Sequence, residues 1–155
     1  MPNLLPVGYE TEVIDATDLV EQGPIGYRNG PAFDYETGDY KRDGKNRVID
    51  SDGIESWKAW CINCISTERY ACLAYPLWFG IETGPVFAAE SREEAENLLT
   101  REITEALLAD EYQRTEYIED ISFNWTAPDT VEVSLTVRGL EDVSIDITAY
   151  ITQRT

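Results

Sequence analysis

The residues best suited to chemistry are a cysteine pair, a surplus of carboxylates and one Glu-Arg step. Cys61-Ile62-Asn63-Cys64 has the C-x-x-C spacing of a zinc half-site or a redox pair. A zinc site needs a second pair of ligands, yet Cys72 is the only other thiol and the 155 residues contain no histidine. A redox pair belongs at a helix N-terminus, where the dipole stabilises thiolate. This pair falls late in an expected helix, so it reads as two small apolar groups on a buried stripe. No metal and no cofactor is expected. The missing histidine also removes Ser-His and Cys-His nucleophiles and any histidine general base.

The carboxylates leave one enzymatic scheme open. A glycosidase needs two carboxyl groups across a cleft, one with a raised pKa. Glu68, in an aromatic-rich turn, is the best single candidate, with Glu55, Glu82 or Glu90 as its partner. With 30 Asp and Glu present, no spacing among them is diagnostic. Glu68-Arg69 has a second use. Such a step at a helix-to-loop junction can fix a loop or dock a partner through a bidentate bond, or form only a local salt bridge.

These groups must be positioned by the elements around them. Residues 1 to 30 are broken by Pro2, Pro6, Gly8, Gly23, Pro24, Gly26 and Gly30, yet carry Leu4, Leu5, Val7, Tyr9, Val13, Ile14, Leu19 and Val20. That pattern predicts an extended arm, followed by a compact domain over 31 to 155. Phe33 to Tyr40 reads as a strand meeting a Thr37-Gly38-Asp39 turn. Asp43-Gly44 is a second turn, and Arg47-Val48-Ile49 resumes the pairing of a small hairpin. Ser51 to Ser66 reads as a helix with Ile54, Trp57, Cys61, Cys64 and Ile65 on its apolar side. Residues 67 to 85 form a shaped, aromatic connection. Ser91 to Asp110 is a second helix, opened by a Ser91/Glu94 capping box. Its stripe is Ala95, Leu98, Leu99, Ile103, Ala106 and Leu107, with Glu102 and Glu105 flanking it.

The last third alternates with period two. Tyr117, Ile121, Phe123 and Trp125 share a parity, as do Val131 to Val137 and Val143 to Ala149. The turns Ala127-Pro128-Asp129 and Gly139 to Asp142 join these runs into an antiparallel meander. The fold class is therefore α+β: an antiparallel sheet, made of a C-terminal three-stranded meander plus an N-terminal hairpin, packed against two amphipathic helices. The final strand is regular and lacks Pro and Lys. At a sheet edge it would offer free backbone groups to another chain, with Val143, Ile145 and Ile147 as candidate partner-binding residues. Proline at Ile145 is the natural test of that edge.

Composition sets limits. Twelve Lys and Arg against 30 Asp and Glu make a net charge of -18, which argues against binding nucleic acid or an anionic membrane. A small acidic inhibitor or DNA mimic is a reading that rests on this charge alone. The odd number of cysteines points to a reducing compartment. The first residues lack the basic and apolar regions of a secretory signal, and no apolar run approaches the roughly 20 residues of a membrane span.

The order of motifs adds a resemblance. Asp52-Gly-Ile-Glu-Ser-Trp-Lys-Ala-Trp60 precedes Ile65-Ser-Thr-Glu-Arg-Tyr70, then Tyr75-Pro-Leu-Trp-Phe-Gly80, then Arg101-Glu-Ile-Thr-Glu-Ala-Leu-Leu-Ala-Asp110. Over residues 33 to 151 this series resembles the small inner baseplate wedge proteins of contractile-tailed phages, in the branch found in PBSX-like defective prophages. The wider family includes the T-even phage wedge protein and the corresponding type VI secretion baseplate subunit. Glu68 and Arg69 adjoin here, as in the prophage branch, whereas the wider family often has Pro between them. The resemblance implies a non-enzymatic part of an inner, sixfold baseplate ring around hub and spike proteins. It implies that the tail sheath protein adds strands to the sheet edge, and that Glu68 and Arg69 brace or contact larger baseplate wedge proteins. It places the protein in the virion tail baseplate, reached through the host cytoplasm during assembly. A lysozyme-like muramidase, a cell-wall hydrolase carried on the tail, is the alternative.

Overall fold

The computed structural model describes residues 26–34 and 36–154. The arm expected over residues 1 to 30 lies, as far as residue 25, outside the described residues.

The N-terminal hairpin forms a short ribbon of its own. Strand β1 (Gly30–Pro31) pairs antiparallel with β4 (Asp50–Ser51), and β2 (Phe33–Asp34) with β3 (Asp39–Tyr40). The β2–β3 turn passes through Gly38 at φ 71°, a conformation that favours glycine. An Arg42–Val48 bridge closes the outer loop. There Asp43 accepts the N–H groups of Lys45 and Arg47, and these bonds hold its carboxyl below the usual range. Among the described residues the ribbon does not share the ladder of the meander.

Helix α1 (Gly53–Ser66) starts where the Asp52 carboxylate accepts the Glu55 N–H at 2.8 Å. It buries Trp57, Cys61, Cys64 and Ile65, while Ile54, expected on that stripe, points outward. Helix α2 (Gly84–Phe87) is one turn with proline in its first turn. Helix α3 (Arg92–Leu108) is capped by Ser91 Oγ, which accepts the Glu94 N–H at 3.1 Å. The return arm of the capping box is displaced by one residue, because the Glu94 carboxylate accepts from Glu90 N–H. Inside the stripe of α3 sits Glu102, buried rather than flanking.

Strands β5 (Thr115–Ala127), β6 (Thr130–Gly139) and β7 (Ser144–Thr152) form the antiparallel meander in the order β5-β6-β7. A 3₁₀ turn, Leu140–Asp142, joins the last two. The odd residues Val131 to Val137 of β6, with Ile145, Ile147, Ala149 and Ile151 of β7, are buried on one face. Helix α1 packs on β7 and α3 on β5. The parity expected for β5 fails at its start. Asp120 adopts φ 54° and the register shifts between Glu119 and Ser122. This bulge puts one extra residue against β6 and rotates everything before it. Ile118 therefore faces Val137, and Tyr117 is 52% exposed.

Candidate functional site

The meander has two edges, and they differ. Strand β5 is interrupted by register shifts at Thr115/Tyr117, Glu119/Ser122 and Trp125/Ala127, whereas β7 pairs with β6 from Thr152 to Ser144 without a break. Which backbone groups β7 leaves free follows from both ends of the ladder. Gly139 N–H donates to Val143 O, and Gln153 N–H donates to Asp129 O, each at 2.8 Å. In an antiparallel pair, alternate residues turn both N–H and C=O to the same neighbour. The odd residues of β7 thus bond to β6, and Ser144, Asp146, Thr148, Tyr150 and Thr152 turn their backbone groups to the open edge. No other segment among the described residues donates to or accepts from that row.

This geometry redistributes the roles of the three residues singled out in that strand. Ile145 and Ile147 are buried against the helical layer, and half-buried Val143 lies in the turn before β7. Their side chains build the core behind the edge. The groups that could receive a partner belong to the even-numbered residues between and beyond them, which apolar patterning does not highlight. Proline at Ile145 would break the chain's own β6–β7 ladder. The informative position is an even one such as Thr148.

Glu68 and Arg69 do not pair with each other. The Glu68 carboxylate accepts the Thr83 N–H at 3.1 Å and also the Thr83 hydroxyl. The guanidinium of Arg69 donates twice to Gly80 O, at 3.2 and 3.0 Å, and lies 3.6 Å from the buried carboxylate of Glu102. That same Glu102 carboxylate accepts Glu82 N–H at 3.1 Å. The backbone completes the clasp: Arg69 N–H donates to Ile81 O, and Ile81 N–H to Thr67 O. Gly80, at φ 94°, allows the approach, since a Cβ there would meet Thr67 O at 2.7 Å. The two residues therefore tie both ends of the 67–83 connection together and to α3. Beside this clasp a small cavity reaches Ile151, Thr152 and Arg154 at the end of β7.

The clasped loop carries an unusual surface. Phe79 is buried and is flanked by Trp60 at 6.0 Å, Trp78 at 6.4 Å and stacked Tyr75 at 4.4 Å between ring centroids. Tyr75 is pinned further by Asn63, whose amide donates to its hydroxyl at 3.3 Å. On this aromatic floor Leu73 is 104% and Leu77 77% exposed, and Tyr70 stands outward at φ 67°. Two bare leucines and a left-handed aromatic residue stand on a loop anchored at both ends. From Tyr70 to Ile81 there is no charged residue, in a chain of net charge -18. The loop continues into a cavity of about 580 Å³, floored by α1 at Ser56, Ala59, Ile62 and Ser66 and lined by no charged side chain among the described residues.

Other chemistry-bearing groups are structural. Cys61 and Cys64 are fully buried, and burial pushes the Cys64 thiol up to about 11 and Cys61 higher still. Asp110 and Arg114 form a bidentate pair at 2.8 and 3.1 Å, with both side chains buried. The guanidinium also lies 5.5 Å from the Trp60 ring and 5.2 Å from Tyr112. The sequence showed neither this pair nor Glu102 as a cluster, although the spacing Asp110 to Arg114 was a usable signal. The glycosidase candidates are not assembled. Among the described residues the 580 Å³ cavity is lined by no carboxylate, a second cavity by Glu90 alone and a small one by Glu68 alone.

Comparison with known families gives one match. The family model described as the contractile injection system sheath initiator covers residues 31–142, from β1 through the 3₁₀ turn. A search of curated proteins finds no match to the chain.

Proposed function

The chain belongs to the contractile injection system sheath initiator family, and from that premise we propose that β7 is the strand on which sheath assembly starts. Family membership gives it a structural role in sheath initiation at the tail baseplate. The finer reading is strand addition: an extended segment of the sheath subunit pairs with the outward row of Ser144, Asp146, Thr148, Tyr150 and Thr152. Backbone hydrogen bonds would supply affinity, and the pleat would fix which side chains face the core. The observation that carries this is the unbroken edge of β7, which no segment among the described residues covers, beside a β5 edge interrupted three times.

In the same proposal the apolar loop Tyr70–Trp78 faces the larger baseplate wedge proteins. Glu68 and Arg69 support that contact from behind by holding the loop's two ends. The protein stands in the inner wedge ring, in the sixfold arrangement around the hub and spike, and does no catalysis. Residues 1–30 act as an arm, and 31–155 as the assembly domain, formed in the host cytoplasm before joining the baseplate. The test is Thr148→Pro. Its N–H points to the open edge, so the substitution removes a donor the monomer does not use. The variant should fold, as circular dichroism would show, and should fail to start sheath in a reconstituted assembly. Sheath of normal yield from a folded Thr148→Pro protein would refute the reading.

A further inference from the structure

Strand addition to β7, on which this inference rests, leaves one problem open. A slip of the incoming strand by one residue turns its apolar side chains to water and is strongly disfavoured. A slip by two preserves every backbone hydrogen bond and every face. The edge must therefore carry a mark that distinguishes one two-residue step from the next. The outward row reads Ser144, Asp146, Thr148, Tyr150, Thr152, and Asp146 is its only charged member.

The surroundings of Asp146 leave it available. Its side chain is exposed, and one carboxylate oxygen accepts the Thr136 hydroxyl at 2.7 Å. No cation of the described chain is within ion-pair distance of it. Arg138, which lies on the same face of β6, turns the other way and binds Glu119 on β5 at 2.5 Å. Glu132, the remaining acid on the outer face of β6, is held by Asn124 and Tyr150. On β6 and β7 the other outer-face charges are thus held by neighbours, and Asp146 presents a carboxylate beside the open ladder.

We propose that Asp146 sets the register of the incoming strand by pairing with a lysine or arginine on it. The partner segment then has a definite chemistry. It alternates apolar residues, laid against the Ile145–Ile151 row, with polar residues on the outer face, and its cation falls opposite Asp146 at a single register. The net charge of -18 draws a basic segment toward this chain from many directions. Asp146 converts that general attraction into one position.

The test uses the full-length chain and the sheath subunit of the same system, with affinity measured at low and high salt. An exposed cross-strand ion pair is worth a loss of about two- to five-fold on removal. Asp146→Asn should weaken binding by that factor at low salt, with the difference shrinking at high salt. In the double variant Asp146→Thr/Thr148→Asp the charge moves by one two-residue step while net charge is kept. That variant should hold most of the parent's affinity with the incoming strand slipped by two residues to follow the charge, which disulfide trapping from Tyr150→Cys reads. Thr148→Pro and Tyr150→Pro, two outward positions, serve as controls on strand addition itself. If the prolines abolish binding but Asp146→Asn has no effect, or the moved charge leaves the trapped register unchanged, the register role is overturned and strand addition stands. If both folded proline variants bind like the parent chain, strand addition fails and the inference fails with it.

Discussion

Leu73 and Leu77 offer the most direct check on the proposed baseplate-facing surface. The perturbation is Leu73→Ser with Leu77→Ser. Leu73 is 104% exposed and Leu77 77% exposed, so neither contributes burial to the isolated chain. Exposed substitutions of this kind change stability by no more than about 0.5 kcal/mol. At an interface the same side chains are worth far more. Fully burying a leucine contributes about 1.5–3 kcal/mol, and a tenfold change in affinity corresponds to about 1.4 kcal/mol. Each leucine that a partner covers should therefore be worth roughly one to two powers of ten in Kd, and the pair somewhat less than the product of the two. Two assays separate the effects. Urea unfolding followed by Trp fluorescence reads monomer stability, and titration of the larger baseplate subunits reads binding. Leu99→Ala, in the core of α3, calibrates the first assay with an expected loss of about 2–5 kcal/mol. Affinity for the baseplate subunits within twofold of the parent chain would refute the assignment. So would a loss of monomer stability above about 1 kcal/mol, since it would mean that the leucines pack within the chain.

Three further outcomes are expected. Asp110→Asn leaves the Arg114 guanidinium buried without its counter-charge and should cost about 3–5 kcal/mol in urea unfolding, while the paired replacement Asp110→Leu/Arg114→Met should recover much of that. Gly139→Ala would drive its Cβ into the Tyr27 hydroxyl and the Trp57 ring, so it should unfold the chain at a markedly lower temperature, whereas Gly44→Ala, with open space around it, should not. Cys72 alone should react with a thiol reagent in the folded chain, and Cys61 and Cys64 only on unfolding. Because burial raises the Cys64 thiol to about 11, its contribution is complete below the ordinary cysteine pKa of about 8.5 and is lost as pH rises from there toward 11, which pH-dependent unfolding would show.

Local signals proved readable where a single rule governed them. Ser91 capped α3, Asp52 capped α1, and the alternation of β6 and β7 placed Val131 to Val137 and Ile145 to Ala149 inside. Two neighbouring residues of β5 escaped the same rule, because a bulge depends on one residue's φ. Asp visits the left-handed region more often than most residues, but with many Asp in the chain its type alone does not place the bulge at Asp120. Glu102 read as a flanking polar residue, because its burial depends on Arg69 and Glu82 arriving from another part of the chain. The Glu68-Arg69 step was legible as important but not in its wiring, since each side chain turns to a different partner 11 to 15 residues away. The edge position of β7 required the sheet order. The division between its inward and outward residues required the hydrogen bonds at both ends of the ladder.

The asymmetry between the two edges has a consequence for this protein on its own. A sheet with two good edges can stack copies without limit and grow into fibres. Here the bulges of β5 spoil one side, so two copies of the meander can meet through its ladder only as β7 against β7. Such a pair consumes both usable edges and stops at two. What self-association occurs through the meander's ladder therefore ends in a closed dimer.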